Sequence, residues 1–394
     1  MTFEQARACV IEKVSAGGPP PAIETVLLEA AVDRTLAEPV RADRDYPSLT
    51  RSIRDGFAVR SQDLPGAFEI LGEVRAGESC PFRVGSRQAV EIMTGAPVPD
   101  GADQIVMVEY TTRDGPTMTT GREPKPGEFV NPRGAEARQG ETILESGCAI
   151  EPATISLLAT VGMTEVRVYR KPRVAIVATG DELVPVGHAP APHQIRNANA
   201  HSLAAQVVRA GGAPVILPAA PDERNATRAI IERGLREDLL LLSGGVSAGK
   251  YDVVETVLAE LGAEFFFDRT LIQPGQPTVF GRVRERFFFG LPGNPASTMV
   301  TFRIFAQAAL EILAGRRQVE LPFFPARLTT VFRHRTGLTR FLPARLSPDG
   351  AELTPIPWRG SSDVPAVARA NVFLVADAAR ESWEPGESMP VLLK

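Results

Sequence analysis

Three glycine-rich turns hold the side chains best suited to chemistry: residues 179–182 (TGDE), 243–252 (SGGVSAGKYD) and 292–295 (PGNP). Each follows an apolar run of strand length, at residues 174–178, 239–242 and 287–291. Ligands of open parallel sheets bind beyond the carboxyl ends of the strands, so the three turns are predicted to line one crevice. Thr179, Gly180, Ser243, Gly244, Gly245, Ser247, Pro292, Gly293, Asn294 and Pro295 are its expected lining. Glycines let backbone N–H groups approach a ligand closely, and a helix opening at Asn294 adds unpaired donors and a positive dipole end. Phosphate or another oxyanion suits both. Asp181, Glu182 and Asp252 would place carboxylates beside that anion, which is repulsive unless a hard cation bridges them, and Mg²⁺ is the expected ion. Asp181 and Asp252 could instead cap following helices, and the residues leave both explanations open.

Other motifs carry less. Residues 244–250 (GGVSAGK) fit the GxxxxGK pattern between a strand and a helix. A P-loop needs a Ser or Thr hydroxyl next, and Tyr251 stands there, which argues against an NTPase and predicts that Lys250 is dispensable for nucleotide chemistry. His188, His193, His201 and His334 show no paired metal-ligand spacing and are expected as solvated loop residues. Arg51, Arg54 and Arg60 around Asp55 form either a solvated face or an anion site offered from another domain.

The elements that must position these turns follow from texture. Ala6, Val10 and Val14 recur at a spacing of four and predict an N-terminal helix stopped at Gly17 and Gly18, with a second helical piece through Val26 and Leu36. Residues 41–140 read as short apolar runs cut by Gly and Pro, an inserted β-rich domain, with helix-compatible sequence resuming at Pro152. Strand, glycine turn and helix then alternate across residues 171–318, the signature of βαβ units and a parallel sheet. In the last of these units Val300, Ile304, Ala308 and Ile312 line one helix face, with Asn294 as N-cap, Pro295 first and Gly315 as stop. Residues 319–394 revert to short β runs. The expected division is 1–40 plus 141–170, 41–140, 171–318 and 319–394.

With 394 residues the chain has length for two or three domains. Its 43 Lys and Arg against 47 Asp and Glu give a formal net charge of −4, which offers no global field for nucleic acid or an anionic membrane. Cys9, Cys80 and Cys148 lie far apart, as expected in a reducing compartment, and no apolar run is long enough to predict a bilayer span. A cytoplasmic protein is expected.

The motifs SIRDGFAVRSQDL (52–64), MTGAPVPDGAD (93–103), VAIVATGDELV (174–184), SGGVSAGKYD and LPGNPAS (291–297) occur in the order and at the separations of the molybdopterin molybdenumtransferases, the MoeA proteins and the E-domain of gephyrin. The chain resembles that family over essentially its whole length. The resemblance implies a multidomain α/β protein with a central parallel-sheet molybdopterin-binding domain, a β-rich inserted domain, an elongated N-terminal domain and a small C-terminal β domain. It also implies an enzyme that binds molybdopterin adenylate and molybdate, needs Mg²⁺, releases AMP and places molybdenum on the pterin dithiolene. A homodimer with a composite active site and a molybdopterin adenylyltransferase as pathway partner are implied too.

Carried over by motif, Asp55 of DGFA resembles an acidic residue presented by the partner subunit. Asp181, Glu182, Asp222 of PDER and Asp252 resemble acidic cleft residues, with Asp181, Glu182 and Asp252 as the metal set and Asp55, Asp181 and Asp252 as the catalytic set. Ser361, beside Ser362, resembles a serine turn bordering the cleft. The chain departs from the family in three places. Gly134, Ala135 and Glu136 replace Gly-Glu-Asp, Arg54 replaces a small or apolar residue, and residues 273–277 read Gln-Pro-Gly-Gln-Pro where lysines usually stand, leaving Arg269 as the nearby cation. A non-catalytic molybdopterin-binding scaffold and a molybdopterin adenylyltransferase are the alternatives. Asp181 and Asp252 speak against the first and the length against the second.

Overall fold

The computed structural model describes residues 1–18, 21–245 and 253–394, so Ser247, Lys250, Tyr251 and Asp252 lie outside the described residues. Two compact units divide the chain: Met1–Ala37 with Gly147–Glu151 and Glu165–Lys394, and Glu38–Ser146 with Pro152–Thr164.

The first unit opens on helix α1, Phe3–Gly17, held at its start by a capping box between Thr2 and Gln5. Phe3, Ala6, Val10 and Val14 form its buried stripe. The second helical piece is not present. Ile23–Leu27 is a strand paired antiparallel with Glu165–Tyr169, followed by a single 3₁₀ turn, Leu28–Ala30. The β-branched Ile23, Thr25 and Val26 outweigh the apparent helical spacing there.

The central sheet of this unit has six strands: β1 (Arg173–Ala178), β2 (Ala213–Ile216), β3 (Leu239–Ser243), β4 (Glu264–Phe267), β5 (Val279–Val283) and β6 (Arg286–Leu291), in the order β2-β1-β3-β6-β5-β4. The first four in that order are parallel, whereas β5 and β4 are antiparallel. The sheet is therefore mixed. Only Arg284 and Glu285 separate β5 from β6, a hairpin loop too short for a crossover.

Alternate residues of the strands enter two cores. Val174, Ile176, Leu239, Leu241, Phe287 and Phe289 face α1, α2 (Ala198–Arg209) and α3 (Pro295–Leu313), and Ala175, Val177, Leu240, Leu242 and Phe288 face helices Arg224–Gly234 and Val253–Glu260. Burial on both faces explains the unbroken apolar runs. Helix α3 has the length and hydropathy of a bilayer span, yet 78% of that stretch is buried inside the fold, as a core helix requires. Its middle is a π turn, Phe302–Ala306.

A further six-stranded sheet joins Phe323–Leu328, Thr339–Leu346, Glu352–Pro355, Val372–Ala376 and Ser388–Leu393 to the short strand Ile272–Gln273, which pairs with Thr339 and Arg340. His334 in this region is buried, not solvated as expected, and packs against Trp383 and Phe332 with neither ring nitrogen bonded to any described residue. A buried polar group without a partner costs about 1–3 kcal/mol, so His334→Phe, which keeps a flat ring, is expected to raise stability by about 1 kcal/mol in urea titrations. His188, His193 and His201 are exposed.

The second unit, described by itself, is built on a sheet ordered Gln104–Met107, Gly56–Val59, Gln88–Ile92, Gly66–Val74, Thr117–Thr120 and Thr111–Asp114. Phe57, Val59 and Phe68 bury one face of that sheet, and Ala58, Val90 and Ile105 the other. Asp55 stands directly before the buried strand Gly56–Val59.

Candidate active site

Sheet register brings the turns together. Ala178 is level with Ser243, and Ser243 with Leu291, so β1, β3 and β6 end at one edge. The turns are then stitched by the backbone: Thr179 N donates to Ser243 O at 3.0 Å, Gly180 N to Ala220 O at 3.1 Å and Gly244 N to Leu291 O at 3.1 Å. They open onto a cleft of about 760 Å³. Thr179, Gly180, Ser243, Gly244, Gly245, Pro292, Gly293, Asn294 and Pro295 line it as expected, with Glu182 and Asp222.

The two glycines after β3 are required by space and conformation. Gly244 and Gly245 have φ of +91° and +63°, and a Cβ would come within 2.9 Å of Thr179 O at the first and 2.7 Å of Thr179 Oγ1 at the second. Thr179 Oγ1 is itself buried with no hydrogen-bond partner among the described residues. Asn199, which the sequence reading missed, ties two turns: its Nδ2 donates to Ser243 Oγ and to Gly293 O, both at 2.8 Å. Its Oδ1 is buried and has no partner among the described residues. The cleft thus holds two buried oxygens that a ligand donor could satisfy. The usable signal for Asn199 was the Asn-Ala-Asn run, in which Asn197 caps α2 by accepting from Ala200 N and so puts residue 199 in the first turn.

Asn294 sits at the N-cap of α3, makes no side-chain capping bond among the described residues, and lines the cleft. Ser361 does not line the cleft. Its carbonyl accepts from Ala296 N at 2.9 Å, while Ser362 is the serine on the cleft wall.

The carboxylates separate by role. Asp181 caps no helix: the next elements are the short strands Leu183–Val184 and Ile195–Arg196, and the helix Arg224–Gly234 is capped by Glu223. The capping explanation for Asp181 is thereby removed. Its Oδ1 accepts from Asp222 N at 3.1 Å, placing it behind the cleft wall that Asp222 forms. Glu182 folds over Gly180, where a Cβ would meet its carboxylate at 2.3 Å. No Lys, Arg or His among the described residues pairs with Asp181, Glu182 or Asp222. Nor do three His, Cys, Asp or Glu side chains converge on a closed metal cage among the described residues. That donor set suits an ion shared with ligand phosphates, since Mg²⁺ usually takes one or two protein carboxylates and completes its shell from phosphate and water.

A smaller pocket of about 240 Å³ adjoins the cleft and shares Pro277, Pro292 and Asn294 with it. Gln273, Gln276, Ser297 and Ser361 line it, whereas Arg269 lines neither pocket. Gln273 is level with Arg340, whose Nε is buried without a partner among the described residues and whose pKa burial pushes down, with Arg335 adding to the effect.

In the second unit, Asp55 Oδ1 accepts from Thr94 N at 2.6 Å and from Thr94 Oγ1 at 2.7 Å. These bonds, the amide first, hold its carboxyl below the usual range, so it stays ionised in mild acid. Arg54 lies over the Phe129 ring, and Glu136 is engaged by Arg51 at 2.6 Å and by Asn131 at 2.9 Å.

Comparison with known proteins gives one consistent answer. Residues 1–162 match the profile of the MoeA N-terminal region (domain I and II), residues 175–312 that of a probable molybdopterin binding domain, and residues 325–394 that of the MoeA C-terminal region (domain IV). The molybdopterin molybdenumtransferase of Bacillus subtilis is 34% identical over 384 residues, covering 94% of this chain and 89% of its own. That of Staphylococcus aureus is 32% identical over 383 residues, covering 95% and 91%. Two crystal structures of the molybdopterin biosynthesis MoeA protein of Pyrococcus horikoshii superpose with TM-scores of 0.75 and 0.83, at 30% and 25% identity, each over 100% of this chain and 98% and 100% of theirs.

Proposed function

The chain belongs to the MoeA family of molybdopterin molybdenumtransferases, and from that membership we propose that its cleft holds molybdopterin adenylate while molybdate enters beside it, with release of AMP as molybdenum is inserted. The enzyme acts in molybdenum cofactor biosynthesis. The observation that carries the finer reading is the convergence on one cleft of three glycine turns, two buried oxygens without a partner among the described residues, and the carboxylates of Glu182 and Asp222, with Asp181 bonded behind Asp222. Backbone amides of the turns and the open start of α3 hold the phosphates, and Asn199 fixes the spacing between the second and third turns. Asp181, Glu182 and Asp222, with Asp252, would hold Mg²⁺, which neutralises phosphate charge when bound. AMP release from adenylylated molybdopterin, measured with and without molybdate, tests this reading, and release that ignores molybdate would remove it.

The smaller pocket is the proposed place for molybdate. A lysine bond to an oxyanion contributes roughly 1.5–3 kcal/mol and a neutral amide roughly 0.5–1.5 kcal/mol, so Gln273 and Gln276 hold it more weakly than lysines would. Gln273→Lys with Gln276→Lys is expected to lower the molybdate concentration for half-maximal AMP release, by an amount that shrinks with added salt.

We further propose a cytoplasmic homodimer in which Asp55 completes the partner subunit's cleft. Asp55→Ala and Asp181→Ala are each expected to be inactive alone. After subunit exchange, about half the dimers are mixed and each carries one intact cleft, so about a quarter of wild-type activity returns. Exchange without recovery would place both residues in one subunit's cleft. A molybdopterin adenylyltransferase is the fitting supplier of substrate.

A further inference from the structure

A third cavity of about 300 Å³ lies in the first unit at the far end of α2 and beside the middle of α3, the two helices that also reach the cleft. Helix α2 gives Asn199 to the cleft and, about 15 Å further on at 1.5 Å per residue, Arg209 to this cavity. Helix α3 gives Pro295 to the cleft and Phe302, Arg303 and Gln307 to the cavity, so the π turn forms its wall. Such turns recur at functional sites.

The floor is apolar, made by Met299, Phe302 and Phe373, and the rim carries Arg209, Arg303 and Lys394. No carboxylate side chain is among the lining residues. Arg209 makes no hydrogen bond or ion pair with any described residue. Among the described residues Arg303 donates only to neutral oxygens, Leu393 O at 3.3 Å and Gln307 Oε1 at 3.0 Å, and Lys394 only to Val367 O at 2.7 Å and Ala370 O at 3.2 Å. Glu311, the nearby acid, lies behind Gln307, whose Nε2 it accepts at 2.8 Å, and faces Arg316 at 3.6 Å. Burial lowers the pKa of both Arg303 and Lys394, and Arg209 lowers both further, while Glu311 opposes the shift at Arg303. Gln206, whose Nε2 is spent on Met299 O, leaves on the same wall a buried Oε1 with no partner among the described residues.

We propose that this cavity is a second ligand site, separate from the cleft, that binds a small organic anion with an apolar body, such as a medium-chain or aromatic carboxylate. The body fills the apolar floor, and the carboxylate takes charge-assisted bonds from Arg209 and Arg303 that no described side chain supplies. Its volume is at the lower end for small-molecule pockets, which limits the body to a single ring system or a short chain.

The test is fluorescence titration of the full chain with 1-anilinonaphthalene-8-sulfonate, using neutral N-phenyl-1-naphthylamine as the uncharged control and decanoate as competitor. One saturable anionic-probe site per chain is expected, displaced by decanoate. Arg209→Glu, at an exposed position, is expected to weaken the anionic probe about tenfold or more and Arg209→Gln by a smaller factor, with the neutral probe nearly unchanged. Absence of saturable binding, or equal affinity of wild type and both folded variants for the anionic probe, overturns the proposal. Binding confined to the main cleft gives that second result, because Arg209 does not line it.

Discussion

Phe280→Ala is expected to cost about 3–5 kcal/mol of stability, a large share of the roughly 5–15 kcal/mol that holds a typical fold. Phe280 is fully buried at the centre of an aromatic cluster. Its ring stacks on Phe289 at 4.7 Å and on Phe287 at 5.8 Å, and meets Phe266 at 5.2 Å and Phe267 at 5.6 Å. Four rings from the two flanking strands, β4 and β6, cannot all move into the space it leaves, so the cavity persists and adds to the lost transfer energy. The residue also stands level with Phe289 in β6, two positions before the Leu291 that opens the third cleft turn, so loosening here should reach the site. Both tryptophans, Trp358 and Trp383, belong to the first unit, and their fluorescence in urea therefore follows the unit that carries the substitution. A loss below about 1 kcal/mol would mean that the cluster collapses around the gap.

What could be read from the sequence was what local pattern decides. The runs that became β1, β3 and β6 were legible because both faces of a covered parallel strand are buried and every residue is apolar. The turns were legible because glycine marks the place where a chain must bend close to something. The antiparallel edge was not legible, since a strand's direction is set by the length of its connection and not by its composition. Asn199 was missed for a related reason: its partners lie 44 and 94 residues away, and nothing local announces them. His334 looked solvated because an isolated polar residue between β runs usually is, and only its packing against Trp383 says otherwise. For Asp181 the two sequence readings were separated by a fact about its neighbours, the lack of a helix for it to cap.

That fact makes Asp181→Asn the most informative change at the cleft. If the residue serves the acidic cluster through its charge, oxyanion-dependent AMP release should fall by roughly two to three orders of magnitude, the loss typical of removing one preorganised electrostatic group from a site. If it only steadies the Asp222 turn, the amide oxygen of asparagine can still accept from Asp222 N, and turnover should stay near wild type. Charge is the expected answer. Glu182 and Asp222 line the cleft and Asp181 accepts from the Asp222 amide behind it, none paired with a described base, since the Nε of Arg196 on the same wall donates to the Val186 and His188 carbonyls, and a phosphate brought against these carboxylates would raise the repulsion further. Stability should change little in either case, because the side chain is exposed and accepts one bond at the surface. Titrating Mg²⁺ in the same assay separates the outcomes again: a charge role predicts that the asparagine variant needs more ion for its residual rate, whereas wild-type turnover at wild-type Mg²⁺ would end the case for a cation held by these carboxylates.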